Sequence, residues 1–322
     1  MKVVQQYVLG GAGVLEVGET EIPTISSGEV LIKGLYTSVN YADIKTRTGN
    51  KGGGSKFPFT LGLDMVGFII ESNSPNFKKG DYVISFPKNG SYKQYAVASE
   101  KLTFHIPQTI NAVQAAAMPT VSILSYILLN QIGEVKKSDT IVVHSAAGGV
   151  GSILVRLAKL QGVSRVIGTV GNIQKKEYVL QNGADEVFTY DTFSEGVLNI
   201  TNGKGAHVVY DSVAGDVTKR SLKCLANFGT LVQFGNSSGS PGDISTNDVH
   251  NSCRNVKGFS LGTTRKEDPL RIAPVVEQLI PLIETGKLEI PIAKTFSLDE
   301  IQDAHRYMES REHHGKILID LA

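Results

Sequence analysis

Cysteine is scarce in this chain: its 322 residues include only Cys224 and Cys253. Two thiols cannot build a disulfide framework, and they rule out a four-cysteine structural zinc site. Charge of one sign is lacking as well. Lys and Arg number 32 against 31 Asp and Glu, a formal net charge of +1. No basic excess points to nucleic acid or to an anionic membrane surface. Long apolar runs are missing: the most hydrophobic stretch, Ile123 to Leu129, is far shorter than the ~20 residues that span a bilayer. The first residues, Met1-Lys2-Val3-Val4-Gln5-Gln6, lack the apolar core and cleavage region of a signal peptide. A cytoplasmic protein with no nucleic-acid partner and no membrane partner is expected.

What is present is length enough for two domains and a change of rhythm along the chain. The first third reads as short strands punctuated by Gly and Pro, as in a compact β-barrel-like domain. Glu29–Lys33, Met65–Glu71 and Tyr82–Phe86 are the clearest strands, and residues 49–55 read as a glycine-rich loop. From Ala112 to Leu129 the composition predicts a helix, broken near Pro119. Strands and helices then alternate. Thr140–His144, Arg165–Val170, Glu186–Tyr190, His207–Asp211 and Gly229–Phe234 read as strands, with helices at Val150–Leu160 and Lys175–Asn182. Gly183 marks the stop of the second helix. Such alternation predicts βαβ units and a parallel sheet. Helices at Ile272–Glu284 and Asp299–Ser310 and a strand at Lys316–Ile319 close the chain. Periodicity does not say which domain owns this tail.

The strand ending at His144 runs into Ser145-Ala146-Ala147-Gly148-Gly149-Val150-Gly151 and then a helix. This is a Gly-x-Gly-x-x-Gly dinucleotide fingerprint with Ala146 in the first glycine slot. The first small residue is expected to allow the tight turn, Gly148 to let the backbone approach a pyrophosphate, and Gly151 to let helix and strand pack closely. The helix start offers free N–H groups and a positive dipole end to phosphate. An NAD site usually carries Asp or Glu at the end of the next strand, accepting from the ribose 2′-hydroxyl. Here that strand ends Val170-Gly171-Asn172-Ile173-Gln174-Lys175-Lys176, with no carboxylate before Glu177. A 2′-phosphate would meet small groups, Asn172 and a lysine, so NADPH is expected over NADH.

At this point the chain resembles the zinc-free quinone oxidoreductase family of the medium-chain dehydrogenase/reductase superfamily. The likeness covers nearly the whole chain. It is carried by Val39-Asn40-Tyr41-Ala42-Asp43, Pro58-Phe59-Thr60-Leu61-Gly62-Leu63-Asp64, the Ala146–Gly151 loop, Val209-Tyr210-Asp211-Ser212-Val213 and Phe234-Gly235-Asn236-Ser237-Ser238-Gly239. The resemblance implies an α/β fold, a Rossmann doubly wound parallel sheet plus a GroES-like β-rich catalytic domain. The catalytic domain would comprise residues 1–120 and 266–322, and the cofactor domain residues 121–265. It also implies a homodimer joined through the cofactor domains.

By matching positions, Asn40 would lie beside the nicotinamide and position the substrate, with Tyr41 available as a proton donor. Asp43 would support the loop as a cap. The fingerprint loop Ala147, Gly148, Gly149, Val150 and Gly151 would hold the diphosphate. Val170 and Gly171 would flank a 2′-phosphate pocket of Asn172, Lys175 and Tyr190. Ser212 and Val213 would line the adenine–ribose side, and Phe234, Gly235 and Asn236 the nicotinamide side. Zinc-dependent relatives carry Cys near position 40 and Gly-His-Glu where this chain reads Gly62-Leu63-Asp64. No metal is expected, and adjacent His313 and His314 read as solvated. Lys45 and Lys51 stand where many relatives have tyrosines, and Ser122-Ile123-Leu124 replaces a Gly-Leu-Thr run.

Without a Lewis acid, simple ketones are hard to polarise, whereas quinones and enones are already electron-poor. The resemblance therefore implies hydride transfer from NADPH to a quinone. NADPH-dependent reduction of an enone or alkenal double bond is the alternative. A non-catalytic NADPH-binding redox sensor or structural protein is the reading from another class.

Overall fold

A computed structural model describes residues 1–50 and 56–322. Most of the expected glycine-rich loop, with Lys51, lies outside the described residues. In chain order the strands are β1 (Lys2–Gln6), β2 (Leu15–Glu19), β3 (Glu29–Val39), β4 (Met65–Ser72), β5 (Tyr82–Ser85), β6 (Tyr95–Ser99), β7 (Thr103–His105) and β8 (Thr140–Val143). They continue with β9 (Arg165–Val170), β10 (Glu186–Thr189), β11 (Ala206–Asp211), β12 (Leu225–Gln233), β13 (Asn255–Gly258), β14 (Ile292–Ser297) and β15 (Lys316–Asp320). The helices are α1 (Tyr41–Arg47), α2 (Ala112–Ile127), α3 (Gly149–Leu160), α4 (Lys176–Gln181), α5 (Phe193–Ile200) and α6 (Asp216–Lys223). After them come α7 (Thr246–His250), α8 (Leu261–Glu267), α9 (Ala273–Glu284) and α10 (Ile301–Ser310).

The chain forms two compact units, Met1–Ile123 with Thr264–Ala322, and Leu124–Thr263. In the first unit a seven-stranded sheet runs β14-β15-β3-β4-β5-β7, with β6 also on β3. Ownership of the tail is decided by hydrogen bonding. β15 pairs antiparallel with β3, Ile317 opposite Val39. Residues nearly three hundred positions apart thus become neighbours, and Lys316 arrives beside Asn40. Val30, Ile32, Met65, Ile69, Ile317 and Ile319 share one core with Ile301, Ala304 and Met308 of α10, so the i, i+3, i+7 stripe read from the sequence faces inward.

In the second unit six parallel strands lie in the order β10-β9-β8-β11-β12-β13. This is the arrangement in which two mononucleotide-binding halves meet, with the order reversing between β8 and β11. β8 is buried at all four positions, as a central parallel strand must be. On α3, Ile153, Leu154, Leu157 and Ala158 are fully buried, but Leu160 is 47% exposed and does not join the expected face.

Two expectations about α2 are corrected. Pro119 lies inside the helix without ending it, and a π-helical segment, Leu128–Ile132, extends it. The apolar helical stretch is therefore 21 residues, Ala112–Ile132, long enough by composition to cross a bilayer. Its most apolar window is 78% buried inside the protein, the condition of a core helix. The proline is tolerated because the local backbone finds other partners: the Thr120 N–H donates to the Asp64 carboxylate at 3.1 Å. Burial of Ala115, Ala116, Ala117 and Met118 holds the helix through the disturbance.

Candidate functional site

The carboxyl edge of the parallel sheet is where loops, not side-chain packing, meet solvent. Here the segments after β8, β9, β10, β11 and β12 all end at this edge. After β8 the chain turns sharply at Ser145, whose φ is +53°. Ala146, the small residue expected to allow this turn, lies within it, but the positive φ belongs to Ser145. The Ala146 methyl is buried and faces Gly168 of β9, where an added Cβ would come within 2.9 Å of it. Small size at position 146 serves sheet packing, and the strained backbone sits one residue earlier. Ser145 is held there by Tyr190, just beyond β10: the Ser145 N–H donates to its Oη at 3.2 Å and the two hydroxyls are 3.1 Å apart.

Gly148 is the N-cap of α3, and the first helical bond runs from the Ser152 N–H to its carbonyl. The N–H groups of Gly149, Val150 and Gly151 precede that bond, so they form the open donor end of the helix. A Cβ on Gly151 would lie 2.3 Å from the Ser145 carbonyl oxygen and 2.8 Å from Ala146 Cα, against 3.2 Å for the nearest atom at Gly148. Gly151 is the tight crossing of turn and helix, and Gly148 leaves the approach to the loop open.

At the end of β9, Val170 is buried and Gly171 exposed. A Cβ on Gly171 would meet the Tyr190 ring at 3.7 Å, so the β8, β9 and β10 ends converge on one tyrosine. Asn172 caps the following turn, its Oδ1 accepting from the Gln174 N–H at 3.0 Å. Lys175 closes that turn and is half-buried. Burial raises the Tyr190 hydroxyl above its ordinary value, leaving it a neutral donor and acceptor. Across the reversal of strand order, Asp211 Oδ1 accepts from the Val213 and Ala214 N–H groups at 2.8 and 2.9 Å. The Ser237 N–H returns to the Ser212 carbonyl at 3.0 Å. This ties the Ser212–Val213 turn to the Phe234–Asn236 segment, and Gly235 passes within 3.0 Å of Ser212 O by its missing Cβ.

Beneath the turn, His144 is fully buried between Thr169 and Ser221, 2.7 Å from each hydroxyl. Ser221 Oγ donates to Val217 O at 2.7 Å, so the imidazole carries its proton on Nε2 and accepts on Nδ1. Burial lowers its pKa to about 4; it is a neutral fixture of the turn.

The first unit contains the other set of expected residues. Asn40 is the N-cap of α1 and is 7% exposed. Its backbone N–H donates to Asp43 Oδ2 at 2.8 Å, a cap of the expected kind. Asp43 also accepts from the Tyr92 hydroxyl at 3.0 Å and the Gly62 N–H at 3.3 Å. Burial raises its pKa to about 6 despite these bonds, and nearby Asp64 adds to the rise. Asp64 accepts from Ser38 Oγ at 2.6 Å as well as from the Thr120 N–H. Lys316, 3% exposed, donates to Asn40 Oδ1 at 2.8 Å and to the Val39 carbonyl at 3.1 Å. Burial works against its charge, while Asp64 and Asp43 support it.

Behind Tyr92 lies His305, its Nε2 3.2 Å from the phenol oxygen and its Nδ1 3.0 Å from Arg47 Nη1. Arg47 is fully buried and pairs with Glu309. The guanidinium can only donate, so the chain of donors runs Arg47, His305, Tyr92, Asp43. Burial and Arg47 together lower His305 to about 3. Arg265 lies over the Phe86 ring, 4.7 Å from its centre, and donates to the Leu63 carbonyl at 3.3 Å. Tyr41, on the first turn of α1, is 37% exposed. His313 and His314 are half-buried, not solvated as expected, and the His313 ring packs 5.8 Å from that of Tyr307. Among the described residues no group of three or more His, Cys, Asp or Glu is placed to hold a metal ion.

Known proteins share this fold. A probable quinone oxidoreductase of Schizosaccharomyces pombe is 32% identical over 98% of this chain and 96% of its own length. The chain belongs to the quinone oxidoreductase family. Quinone oxidoreductase 1 of Escherichia coli is 31% identical, covering 96% of each chain. The solved structure of Escherichia coli quinone oxidoreductase complexed with NADPH superimposes with a TM-score of 0.93 at 30% identity, over 99% of this chain and 100% of that one. The family models that match are the alcohol dehydrogenase GroES-like domain over residues 26–108 and the zinc-binding dehydrogenase over residues 149–278. Membership places the chain in the medium-chain dehydrogenase/reductase superfamily, with the two-part GroES-like and Rossmann-type fold described above.

Within this family frame the cofactor residues expected in the second unit fall at the ends of β8 to β12, while Asn40, expected beside the nicotinamide, and Tyr41 fall in the first unit. Sequence reading did not single out Lys316, Tyr92, His305, Arg47 or Arg265. Lys316 had a signal, a lone cation opening the apolar run Ile317, Leu318 and Ile319. Arg47 and His305 had none, because their burial depends on partners from distant segments.

Proposed function

We propose that this chain is a zinc-independent, NADPH-dependent quinone reductase, cytoplasmic and homodimeric. The observation that carries the reading is the rim at the ends of β8, β9 and β10. An open helix N-terminus lies over a glycine turn, and β9 ends without a carboxylate, at Gly171, Asn172 and Lys175. Gly151 fits the crossing only because it lacks a Cβ. These groups suit a diphosphate and a 2′-phosphate. Gly148, Gly149, Val150 and Gly151, flanked by Ala147, would hold the diphosphate. Asn172, Lys175 and Tyr190 would hold the 2′-phosphate beside Val170 and Gly171. Ser212 and Val213 would flank the adenosine, and Phe234, Gly235 and Asn236 the nicotinamide. The cofactor, when bound, supplies the hydride.

The chain's own contribution is orientation and a hydrogen bond to the oxygen where charge develops. Asn40 offers its Nδ2 for that bond. The acceptor must already be electron-poor, because position 63 is an apolar leucine and both Asp64 oxygens face protein donors; this donor set does not suit a catalytic zinc. Solvent completes a hydroquinone by protonating its oxygen, unless Tyr41 does so; Tyr41→Phe separates the two. For the homodimer, support comes from β13, the outer strand of its sheet, with Val256 39% exposed, an edge of the sort that pairs with a second copy.

The test follows NADPH oxidation by purified protein, with a chelator present, on paired quinone and enone acceptors. Quinone loss with hydroquinone as product is the expected result. A saturated carbonyl as the only product assigns the chain to double-bond reduction instead. NADPH binding without turnover on any acceptor overturns the enzymatic reading in favour of a sensing or structural role.

A further inference from the structure

We propose that Lys316 is a positioning residue that fixes which end of the Asn40 amide is presented as a hydrogen-bond donor. Its consequence for turnover rests on the quinone reductase reading; the placement itself does not. Lys316 opens β15, and the antiparallel register puts Ile317 opposite Val39, so the ammonium reaches Asn40 from the start of a strand that continues Ile317, Leu318, Ile319 and Asp320. A lysine has donors and no acceptor. The oxygen of the amide must therefore face it, and it does, at 2.8 Å.

The nitrogen end is then turned toward acceptors: Ser38 Oγ at 3.2 Å, Ser38 O at 3.4 Å and Asp64 Oδ1 at 3.5 Å. All three contacts are long, and the short bond of Ser38 Oγ goes to Asp64 at 2.6 Å. One end of the amide is anchored by a charge-assisted bond, and the other is held loosely enough to be passed to a ligand. A flipped amide would set its NH2 group against an ammonium. The buried cation also polarises the amide, which strengthens its N–H as a donor. Neither hydrogen bond of Lys316 is to a carboxylate, so its local partners are the amide and the carbonyl preceding it, not an ion pair. The charge is nonetheless balanced at longer range by Asp64 and Asp43.

The test uses full-length protein labelled with 15N-asparagine. The Asn40 side-chain NH2 pair is assigned by its loss in Asn40→Ala. Lys316→Met is expected to move that pair, and Lys316→Arg to restore it in part. If Lys316→Met fails to fold, Lys316→Gln, a neutral donor, is expected to give a smaller displacement. A resonance that stays in place in the folded variant overturns the inference. In NADPH oxidation with 1,4-naphthoquinone, Lys316→Met should lose about 10- to 100-fold in kcat, with NADPH affinity changed far less. The double variant Asn40→Ala/Lys316→Met should be no slower than Asn40→Ala alone. Losses that multiply would mean Lys316 acts independently of Asn40, and would also overturn the inference. A wild-type protein that reduces no quinone would refute the proposed function, while the resonance would still decide the positioning.

Discussion

Replacing Gly151 with alanine tests the cofactor turn most directly. The added Cβ would stand 2.3 Å from Ser145 O, where ordinary contact begins at 3.4 Å. The obstacle is backbone, so no side chain can swing away. Turn and helix must part by about 1 Å, an overpacking cost of ~1–3 kcal/mol. The displaced groups are those proposed to hold the diphosphate, so at 1.4 kcal/mol per tenfold the same cost predicts a loss of NADPH affinity of about 10- to 100-fold. Gly148→Ala is the internal comparison. Its Cβ would meet Ser145 O at 3.2 Å, and its φ of −80° is open to any residue, so its stability should change by less than about 1 kcal/mol. Denaturant unfolding gives the stability and fluorescence titration the affinity. A Gly151→Ala protein with wild-type stability and wild-type NADPH affinity would refute the close-crossing argument.

Three further outcomes are expected. Lys175→Glu should weaken NADPH by about 10- to 100-fold, through loss of a charge-assisted bond and added repulsion, while NADH binding changes little; an unaltered preference by titration would reject the 2′-phosphate assignment. Tyr190→Phe removes the oxygen that meets both Ser145 N and Oγ, and should cost ~0.5–1.5 kcal/mol of stability with weaker NADPH binding; equal unfolding midpoints would contradict this. Asp43 titrates with the opposite sign to a salt-bridged carboxylate. Its pKa rises from 3.8 to about 6 on folding, so the folded state binds the extra proton, and stability falls as pH rises through that window. The change is ~3 kcal/mol, read as the stability of wild type relative to Asp43→Asn between pH 4 and 7; a difference that stays flat would show that Asp43 does not govern the dependence.

Local pattern accounts for much of the architecture. The alternation from Thr140 onward and the inward stripe of Ile301, Ala304 and Met308 depend on residues close in sequence. So does the stop at Gly183, whose φ is +106°. The departures from expectation share a cause. Ser145 takes the strained conformation because Tyr190, just beyond β10, receives its N–H. Pro119 does not break its helix because Asp64 accepts the Thr120 N–H. Helices α5 and α6 were not expected from the pattern, the second because Val217 and Leu222 are nearly its only apolar anchors among polar neighbours.

The sequence by itself determined the chemistry available: a small-residue turn between strand and helix, no carboxylate after the second cofactor-domain strand, and a leucine at position 63. These are properties of single residues and short windows, which backbone sterics and side-chain chemistry constrain without outside help. Only the tertiary structure decided which groups share a site and in what protonation state. The pairing of β15 with β3 brings Lys316 to Asn40. Packing buries Arg47 and His305 behind Tyr92, and removal from water, not neighbouring sequence, shifts Asp43 and His305 from their ordinary titration. Burial and long-range pairing arise when distant segments exclude water together, and no local window contains that information.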